Sequence, residues 1–250
     1  MLTGQAVRAI SKERQRFKKS VNPWVARISI HLHRAGLTFR PDWEQVVTPV
    51  VDYALTLPEV DRERIALMGI SLGGYLAPRA AAYEKRLSAL IANDGVYDYG
   101  AAQLRTIPPA QLEQAIAAIK APESAEMDKL LSAIMRSHPT ADWALTHGAY
   151  VMGASSPHGY LKASPAVHLR DGVAEAISCP TLVCQAEGDL FFKGQPRELF
   201  DHLTCAKALI RFTDSEDAGA HCQVVAARLA LGRMYDWLDE VLGRGRKITT

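Results

Sequence analysis

Residues 69–82 read GISLGGYLAPRAAA, and this stretch decides the fold class. A short apolar run, RIALMGIS at residues 64–71, leads into it, and an alanine-rich segment follows Ser71. The run is too short for a helix and has no polar face, which is typical of a parallel strand covered on both sides. Glycines two residues before and after Ser71 permit a sharp turn. The stretch therefore predicts a strand, a tight turn that carries Ser71, and a helix.

Three further segments repeat the buried-strand pattern: LSALIAND at 87–94, PTLVCQA at 180–186 and KALIRFTD at 207–214. Helix-forming segments accompany them, such as the one at 41–57, whose apolar residues form one helical stripe. Strands that alternate with helices predict an α/β fold with a mostly parallel sheet.

Residues 101–178 interrupt this alternation. They contain helical segments, such as AAQLRTIPPAQLEQAIAAIK and EMDKLLSAIMRSH, and no buried-strand pattern. A connection between two strands of a compact domain is usually far shorter. We therefore predict an inserted helical cap at about 101–178, lying over the strand ends where open α/β sheets place their ligands.

Composition bounds the remaining expectations. The chain has 250 residues, of which 48% are hydrophobic and 22% charged, and a formal net charge of +2. These values are ordinary for a globular domain and predict neither a nucleic-acid nor a membrane partner. We expect residues 1–33 to form an atypical basic segment, residues 34–250 to form the α/β domain, and the partner to be a small-molecule substrate. A homodimer is left open.

Cellular location is predicted from three features. The chain begins with no signal-peptide pattern, and no apolar stretch approaches the roughly 18 residues of a membrane span. Its four cysteines, at 179, 184, 205 and 222, show no C-x-x-C pair and no disulfide-scaffold spacing. We therefore expect a cytoplasmic protein.

Two residues have the right positions to activate Ser71. A serine hydroxyl is a weak nucleophile until a base takes its proton, and an acid must orient that base. Asp189 follows the third predicted strand and His221 follows the fourth, so all three residues lie at one edge of a parallel sheet. The order Ser, Asp, His is that of α/β-hydrolases. The Leu72 N–H, at the start of the next helix, is the predicted oxyanion donor.

Each of these residues also has an ordinary structural interpretation. Ser71 is then a turn residue, Asp189 a helix-capping residue and His221 a loop histidine. Glu187 is the less favoured acid because it lies nearer to the strand. The other histidines occur in a predicted helix, in the predicted cap or in an edge-like segment: His31, His33, His138, His147, His158, His168 and His202.

Five segments carry a family resemblance: GLTFRPDWEQVVTPVVDYAL, GISLGGYLAPRAAA, DGVYDYG, CQAEGDLFFKGQP and AGAHCQ. Together they resemble the α/β-hydrolase group that includes 2,6-dihydroxypseudooxynicotine hydrolase and the fungal heptaketide-shortening hydrolase of pigment synthesis. The likeness runs from about Gly36 to Leu242. It implies an α/β-hydrolase-type sheet at 34–250, with Ser71, Asp189 and His221 at the triad positions.

The resemblance also implies an activity. The expected reaction is hydrolysis of a carbon–carbon bond next to a ketone, in a polyketide or an aromatic ketone, or of a related acyl bond. It needs no metal and no organic cofactor. Asp94, in another family-like string, is a candidate for assisting the reaction or binding substrate, and a structural role is the favoured alternative. Two other functions stay open: an ester or prolyl-oligopeptidase-like acyl hydrolase, and a truncated, inactive remnant or ligand-binding protein.

The upstream part of the sequence departs from the family pattern. An α/β-hydrolase takes its second oxyanion N–H from a loop after an early strand. Only about forty residues precede the helix predicted at 41–57, and they contain one strand-like segment, WVARISIHLH at 24–33, with no Gly-Gly turn after it. We therefore expect the sheet to lack the early strands and the N-terminal part of the enzyme to be missing or replaced.

Overall fold

The computed structural model describes residues 40–105, 107–122 and 124–243, which lie in a compact unit that begins at Arg40. The basic segment predicted at 1–33, with its strand-like part, lies outside the described residues. The first elements are α1 (Glu44–Ala54), β1 (Ala66–Ile70), α2 (Gly73–Tyr83) and β2 (Ala89–Asn93). Five helices follow: α3 (Tyr99–Leu104), α4 (Pro109–Lys120), α5 (Ala125–Ser137), α6 (Pro139–Met152) and α7 (Pro157–Ala163). The last elements are β3 (Thr181–Ala186), α8 (Gln195–His202), β4 (Lys207–Phe212) and α9 (Ala227–Leu242).

The four strands form one parallel sheet in the order β1-β2-β3-β4. In its register, Ile70 of β1 is paired with Asn93 of β2, and Asn93 with Cys184 of β3. The carboxyl ends of the strands therefore lie along one edge, as the sequence predicts. The loops that leave this edge carry the predicted site residues.

Burial differs between the central and the outer strands. Every residue of β2 is buried, and so is every residue of β3 except Gln185. In β1, Ile70 is 50% exposed, and in β4 only Phe212 is buried. The prediction that all four strands are covered on both sides is therefore wrong for β1 and β4. Within the described residues each of these two strands has a neighbour on one side only.

Helices attach to the sheet through apolar side chains. Met234 of α9 packs with Ile91 of β2 and Leu182 of β3 in the main core cluster. On α2, Arg79 forms a two-bonded ion pair with Glu44 of α1, at 2.8 and 2.9 Å. The first contact therefore packs α9 on the sheet, and the ion pair joins α2 to α1.

Helices α3 to α7 and a 3₁₀ turn at Ser164–Ala166 fill the connection between β2 and β3, and we call this region the helical insertion. It has a small core of its own, built on Leu131, Leu145 and Tyr160. The Tyr160 hydroxyl hydrogen-bonds the Tyr99 hydroxyl at 2.6 Å. The predicted helical character of 101–178 is therefore seen, since the described residues between β2 and β3 contain no strand.

Among the described residues, no helix combines the length and the apolar composition that crossing a bilayer requires.

Candidate active site

Ser71 occupies a strained turn between β1 and α2. Its φ is +60°, in the left-handed region that few non-glycine residues adopt. A Cβ at Gly69 would lie 1.8 Å from the backbone oxygen of Gly73, and one at Gly74 would lie 2.3 Å from that of Asp94. Gly69 and Gly74 are therefore sterically required, whereas a Cβ at Gly73 would meet nothing within 4 Å. Such strain persists only where the surrounding structure enforces it, and it is concentrated at functional sites.

The loops after β3 and β4 are tied to each other. Gly188 N–H donates to the Gly219 carbonyl oxygen at 2.9 Å. Asp189 Oδ1 accepts from the backbone N–H groups of Phe191 and Phe192, at 2.6 and 3.1 Å. These bonds hold the Asp189 carboxylate in place beside the loop that carries His221.

The structure brings the three predicted side chains together. His221 Nε2 lies 2.9 Å from Ser71 Oγ. On the other side of the ring, Nδ1 lies 3.2 and 3.3 Å from the two carboxylate oxygens of Asp189. Asp189 is buried and His221 is partly exposed. This arrangement can move a proton from the hydroxyl to the ring while a carboxylate orients the ring.

The charges in this group stabilise one another. Burial lowers the pKa of His221, but hydrogen bonds with Asp189 and Asp94 outweigh it and hold that pKa above its usual range. Burial raises the pKa of Asp189, but the bond with His221 and two backbone N–H groups bring that pKa below its usual range. The site therefore favours a positively charged imidazole, the form that arises when His221 takes the serine proton.

The predicted oxyanion donor lies at the start of α2. Leu72 caps this helix, and within the described residues its N–H donates to no acceptor. An unpaired N–H at a helix N-terminus attracts negative charge, so this group can stabilise an oxyanion beside Ser71. The sequence predicts that the upstream loop which supplies the second oxyanion donor in α/β-hydrolases is missing, and residues 1–39, where this prediction falls, lie outside the described residues.

Asp94 has contacts that the sequence did not reveal. Its side chain is 0% exposed, and Oδ2 lies 3.0 Å from His221 Nδ1. The same oxygen accepts from the backbone N–H of Cys222 at 2.6 Å. Its position directly after a central strand was the available signal. Substrate binding by Asp94 stays a prediction, because its described contacts are with protein groups.

Cys222 was also missed. Its thiol sulfur lies 3.3 Å from His221 Nε2, the ring nitrogen that faces Ser71. Burial raises the pKa of this thiol to about 11, so the thiol is uncharged at neutral pH. Only its position next to His221 in the sequence pointed to the site.

Aromatic rings form a wall beside the histidine. The Phe191 ring stands edge-on to the His221 ring, with centroids 4.8 Å apart. Trp143 of α6 lies 5.9 Å from Phe191 and stacks on His147 at 5.3 Å. We call Trp143, His147, Phe191 and Phe192 the aromatic wall. Trp143 of the helical insertion therefore contacts a ring that lies beside His221, whereas a cap over the strand ends stays a prediction.

The alternative residues have other partners. Glu187 binds Arg211 at 3.0 Å and accepts from the backbone N–H of Asp214 at 3.1 Å. His202 pairs with Glu175 at 2.6 Å. In the described part of the chain, Glu187 and His202 therefore bond to groups other than Ser71 and His221.

One group of side chains has the atom types and spacing of a metal site. Ligand atoms of Asp94, His221 and Cys222 all lie within 4.8 Å of one another, and no other such group of three occurs in the described part of the chain. Asp94 Oδ2 already accepts from the Cys222 N–H, and the sulfur already contacts the ring of His221. These contacts already hold the three side chains together, and we assign no metal to the group.

The chain is similar to one protein family and to several proteins that are named hydrolases. Residues 44–133 match the prolyl oligopeptidase family. The chain is 29% identical to the hydrolase LUC6 of a Fusarium species, over 86% of this chain and 53% of that protein. It is 28% identical to the 20-hydroxy-prefusarin hydrolase FUS2 of Gibberella moniliformis, over 85% of this chain and 52% of that protein. The chain thus spans about half the length of these relatives.

A solved structure gives the same result. The 2,6-dihydroxy-pseudo-oxynicotine hydrolase superposes with a TM-score of 0.56 and 25% identity, over 87% of this chain and 51% of that one. The protein AbyA5 superposes with a TM-score of 0.55 at 17% identity, over 83% of this chain and 51% of that one, a likeness of fold alone. The predicted resemblance is therefore confirmed.

Proposed function

We propose, from its α/β-hydrolase fold and its relation to these hydrolases, that this chain is a serine hydrolase. In this proposal Ser71 is the nucleophile, His221 the general base and Asp189 the acid that orients it. One observation carries the proposal: the 2.9 Å contact between Ser71 Oγ and His221 Nε2, made from a serine with φ of +60°. A serine in this conformation at the end of a strand presents its hydroxyl to the site.

The proposed reaction follows from this geometry. Ser71 Oγ attacks a carbonyl carbon while its proton passes to His221 Nε2, and the oxyanion forms beside the Leu72 N–H. The bond to the departing carbon breaks, and His221 protonates the carbanion or enol that leaves. Water, activated by His221, then cleaves the acyl-enzyme. The products are a carboxylic acid and the protonated carbon fragment, so one water is consumed.

The aromatic wall supports a ketone substrate with a flat conjugated body. The ring centroids of Phe191 and Trp143 lie 5.9 Å apart, and the Phe191 ring contacts that of His221. Stacking on such rings favours aromatic groups. Two similar proteins are named for the compounds they hydrolyse, 20-hydroxy-prefusarin and 2,6-dihydroxy-pseudo-oxynicotine. We therefore propose cleavage of a carbon–carbon bond next to a ketone in a polyketide or aromatic compound, as in secondary metabolism.

A second candidate is an ester or prolyl-oligopeptidase-like acyl hydrolase. The match of residues 44–133 to the prolyl oligopeptidase family favours it, and this range includes Ser71. Both candidates use the same nucleophile and differ in the leaving group. A panel of aryl β-diketones, aryl esters and aminoacyl arylamides separates them by relative kcat/KM.

We also propose a cytoplasmic location. All four cysteines are free, and Cys179 and Cys184 are buried. Unpaired cysteines fit a reducing compartment.

The test compares the chain with its Ser71→Ala variant on that panel. We expect the variant to lose about 10⁴-fold or more in kcat for the preferred class, because removing a triad nucleophile has effects of this order. Ser137→Ala is the matched control, since within the described ranges this hydroxyl bonds only to carbonyl oxygens of its own helix. Wild-type turnover that survives Ser71→Ala would contradict the proposal, as would a folded wild type inactive on every class. The second result would favour the ligand-binding alternative.

A further inference from the structure

We infer that Asp94 is a positioning residue that shares His221 with Asp189, an inference that rests on the proposed function. Asp94 Oδ2 lies 3.0 Å from His221 Nδ1. The nearer oxygen of Asp189 lies 3.2 Å from the same nitrogen. The ring nitrogen that faces away from Ser71 therefore has two carboxylates within reach instead of one.

The fold fixes Asp94 as firmly as it fixes the nucleophile. Asp94 follows β2, the strand between the one that leads to Ser71 and the one that leads to Asp189. Its φ is +57°, and its carbonyl oxygen packs so closely on α2 that a Cβ at Gly74 would lie 2.3 Å from it. The Ser71 N–H donates to the carbonyl oxygen of the preceding residue, Asn93, at 3.1 Å. The Asp94 backbone and the nucleophile turn thus form one unit.

The Asp94 carboxylate connects that unit to the histidine loop. Oδ2 accepts from the Cys222 backbone N–H at 2.6 Å, directly beside its contact with His221. Oδ1 is buried and has no hydrogen-bond partner within the described residues. A fully buried carboxylate is costly unless a charge or donor compensates it. Here the compensating groups are the Cys222 N–H and the His221 ring, so the ring gains from carrying a proton.

The groups that face His221 come from every neighbouring loop. Asp94 approaches from the end of β2 and Asp189 from the loop after β3, and both carry negative charge. The Ser71 hydroxyl and the Cys222 thiol face Nε2, and the Phe191 ring lies edge-on. No cationic side chain pairs with Asp94 or Asp189 in the described part of the chain apart from His221. Each carboxylate therefore favours the imidazolium separately.

Asp94→Asn separates this electrostatic role from a structural one. The amide oxygen can take the place of Oδ2 and keep the bond with the Cys222 N–H, while the negative charge is lost. We expect the pH midpoint for labelling of Ser71 by a fluorophosphonate to fall by about one unit or more, because a neighbouring opposite charge shifts a pKa by one to three units. The His221 ring, assigned in NMR spectra through His221→Gln, is expected to show the same downward shift.

Asp98→Asn is the matched control. Asp98 is also buried, lies in the same loop after β2, and pairs with Arg170 rather than with His221. It should leave both midpoints unchanged. A folded Asp94→Asn protein whose two midpoints equal those of the wild type overturns the inference. A wild type that is labelled at no pH overturns the proposed function instead, and the NMR titration then still decides the role of Asp94.

Asp189→Asn provides a second test of the inference if Asp94→Asn does not fold. If Asp94 stabilises the imidazolium, the His221 midpoint in Asp189→Asn stays above the ordinary value of about 6.5. If Asp94 contributes nothing, burial dominates and the midpoint falls to that value or lower. The second result overturns the inference.

Discussion

The sheet edge and the helical insertion are built in different ways. At the edge, backbone and side chains are packed so tightly that Gly69 admits no Cβ, and Asp94 and Asp189 are buried. In the insertion, α4 has no buried residue and α5 and α6 have one each. Trp143, which faces the site from the insertion, is 58% exposed.

This difference separates two tasks. In the proposed reaction, the sheet holds the groups that exchange a proton, which requires positions fixed within a fraction of an ångström. The insertion supplies Trp143 and the rest of the surface that a substrate body would contact, and its thin core permits adjustment. Variants of the sheet edge should therefore abolish folding or chemistry, whereas variants of the insertion should change substrate affinity.

The largest effect is expected from Gly69→Ala. Its new methyl group would lie 1.8 Å from a backbone oxygen that cannot move without distorting α2. We expect a loss of more than about 4 kcal/mol in the free energy of unfolding, or no folded protein. Gly73→Ala is the control, since a Cβ there meets nothing within 4 Å, and it should change stability by less than about 1 kcal/mol. Equal urea midpoints for the two variants would contradict the required close approach.

The next comparison removes one leucine from each core. Leu182 is buried in the sheet core, and Leu145 belongs to the small core of the insertion. Leu182→Ala should lower the free energy of unfolding by about 3 to 5 kcal/mol, because the packed neighbours cannot close the cavity. Leu145→Ala should cost about 2 kcal/mol or less and raise hydrogen exchange only in α5 to α7. Faster exchange throughout the sheet in Leu145→Ala would show that the two regions are not independent.

A smaller effect is expected from Trp143→Ala. Loss of this ring removes part of the aromatic wall without touching Ser71 or His221. For the preferred aromatic ketone, KM should rise about tenfold, equivalent to about 1.4 kcal/mol, with kcat and the rate of Ser71 labelling unchanged. Leu130→Ala, at another exposed apolar position of the insertion, is the control. A fall in kcat at unchanged KM would contradict this prediction, because it would show that Trp143 acts on the chemical step and not on substrate binding.

The smallest effect concerns the pH dependence of stability. The pKa of Asp189 is below its usual range in the folded protein because of His221 and two backbone N–H groups, despite burial. A carboxylate of this kind stabilises the fold above its unfolded pKa, and the contribution is lost as pH falls through the lower folded value. The stability difference between wild type and Asp189→Asn should therefore be present at pH 7 and shrink toward pH 2. If the difference in the free energy of unfolding grew on acidification, the pKa of Asp189 would have to be raised in the folded protein, and the prediction would be wrong.

The sequence predicted the sheet edge well for a physical reason. Ser71 directly follows β1, Asp189 lies in the loop after β3 and His221 in the longer loop after β4, and parallel strands bring their carboxyl ends together. Ser71, Asp189 and His221 were therefore placed from local patterns alone. Burial of the strands was predicted less well, because the apolar pattern of β4 does not reveal that, among the described residues, this strand pairs on one side only.

The contacts between side chains within the site could not be predicted from the sequence. Asp94 meets His221 through the register of β2 and a left-handed backbone turn, neither of which leaves a periodic signal. Cys222 has a φ of +53°, and its sulfur lies 3.3 Å from the ring of His221. The aromatic wall combines Trp143 with Phe191, residues far apart in the chain. Such meetings depend on tertiary packing, which local patterns do not encode.

Mapping a covalent adduct tests the central claim most directly. The intact chain is treated with a fluorophosphonate at a pH above the His221 midpoint, digested, and sequenced by mass spectrometry. The account predicts one adduct, on Ser71, formed at least about a hundredfold more slowly in His221→Gln, because an unassisted serine is a poor nucleophile. A folded wild type that carries no adduct on Ser71, or one that forms equally fast without His221, would contradict it.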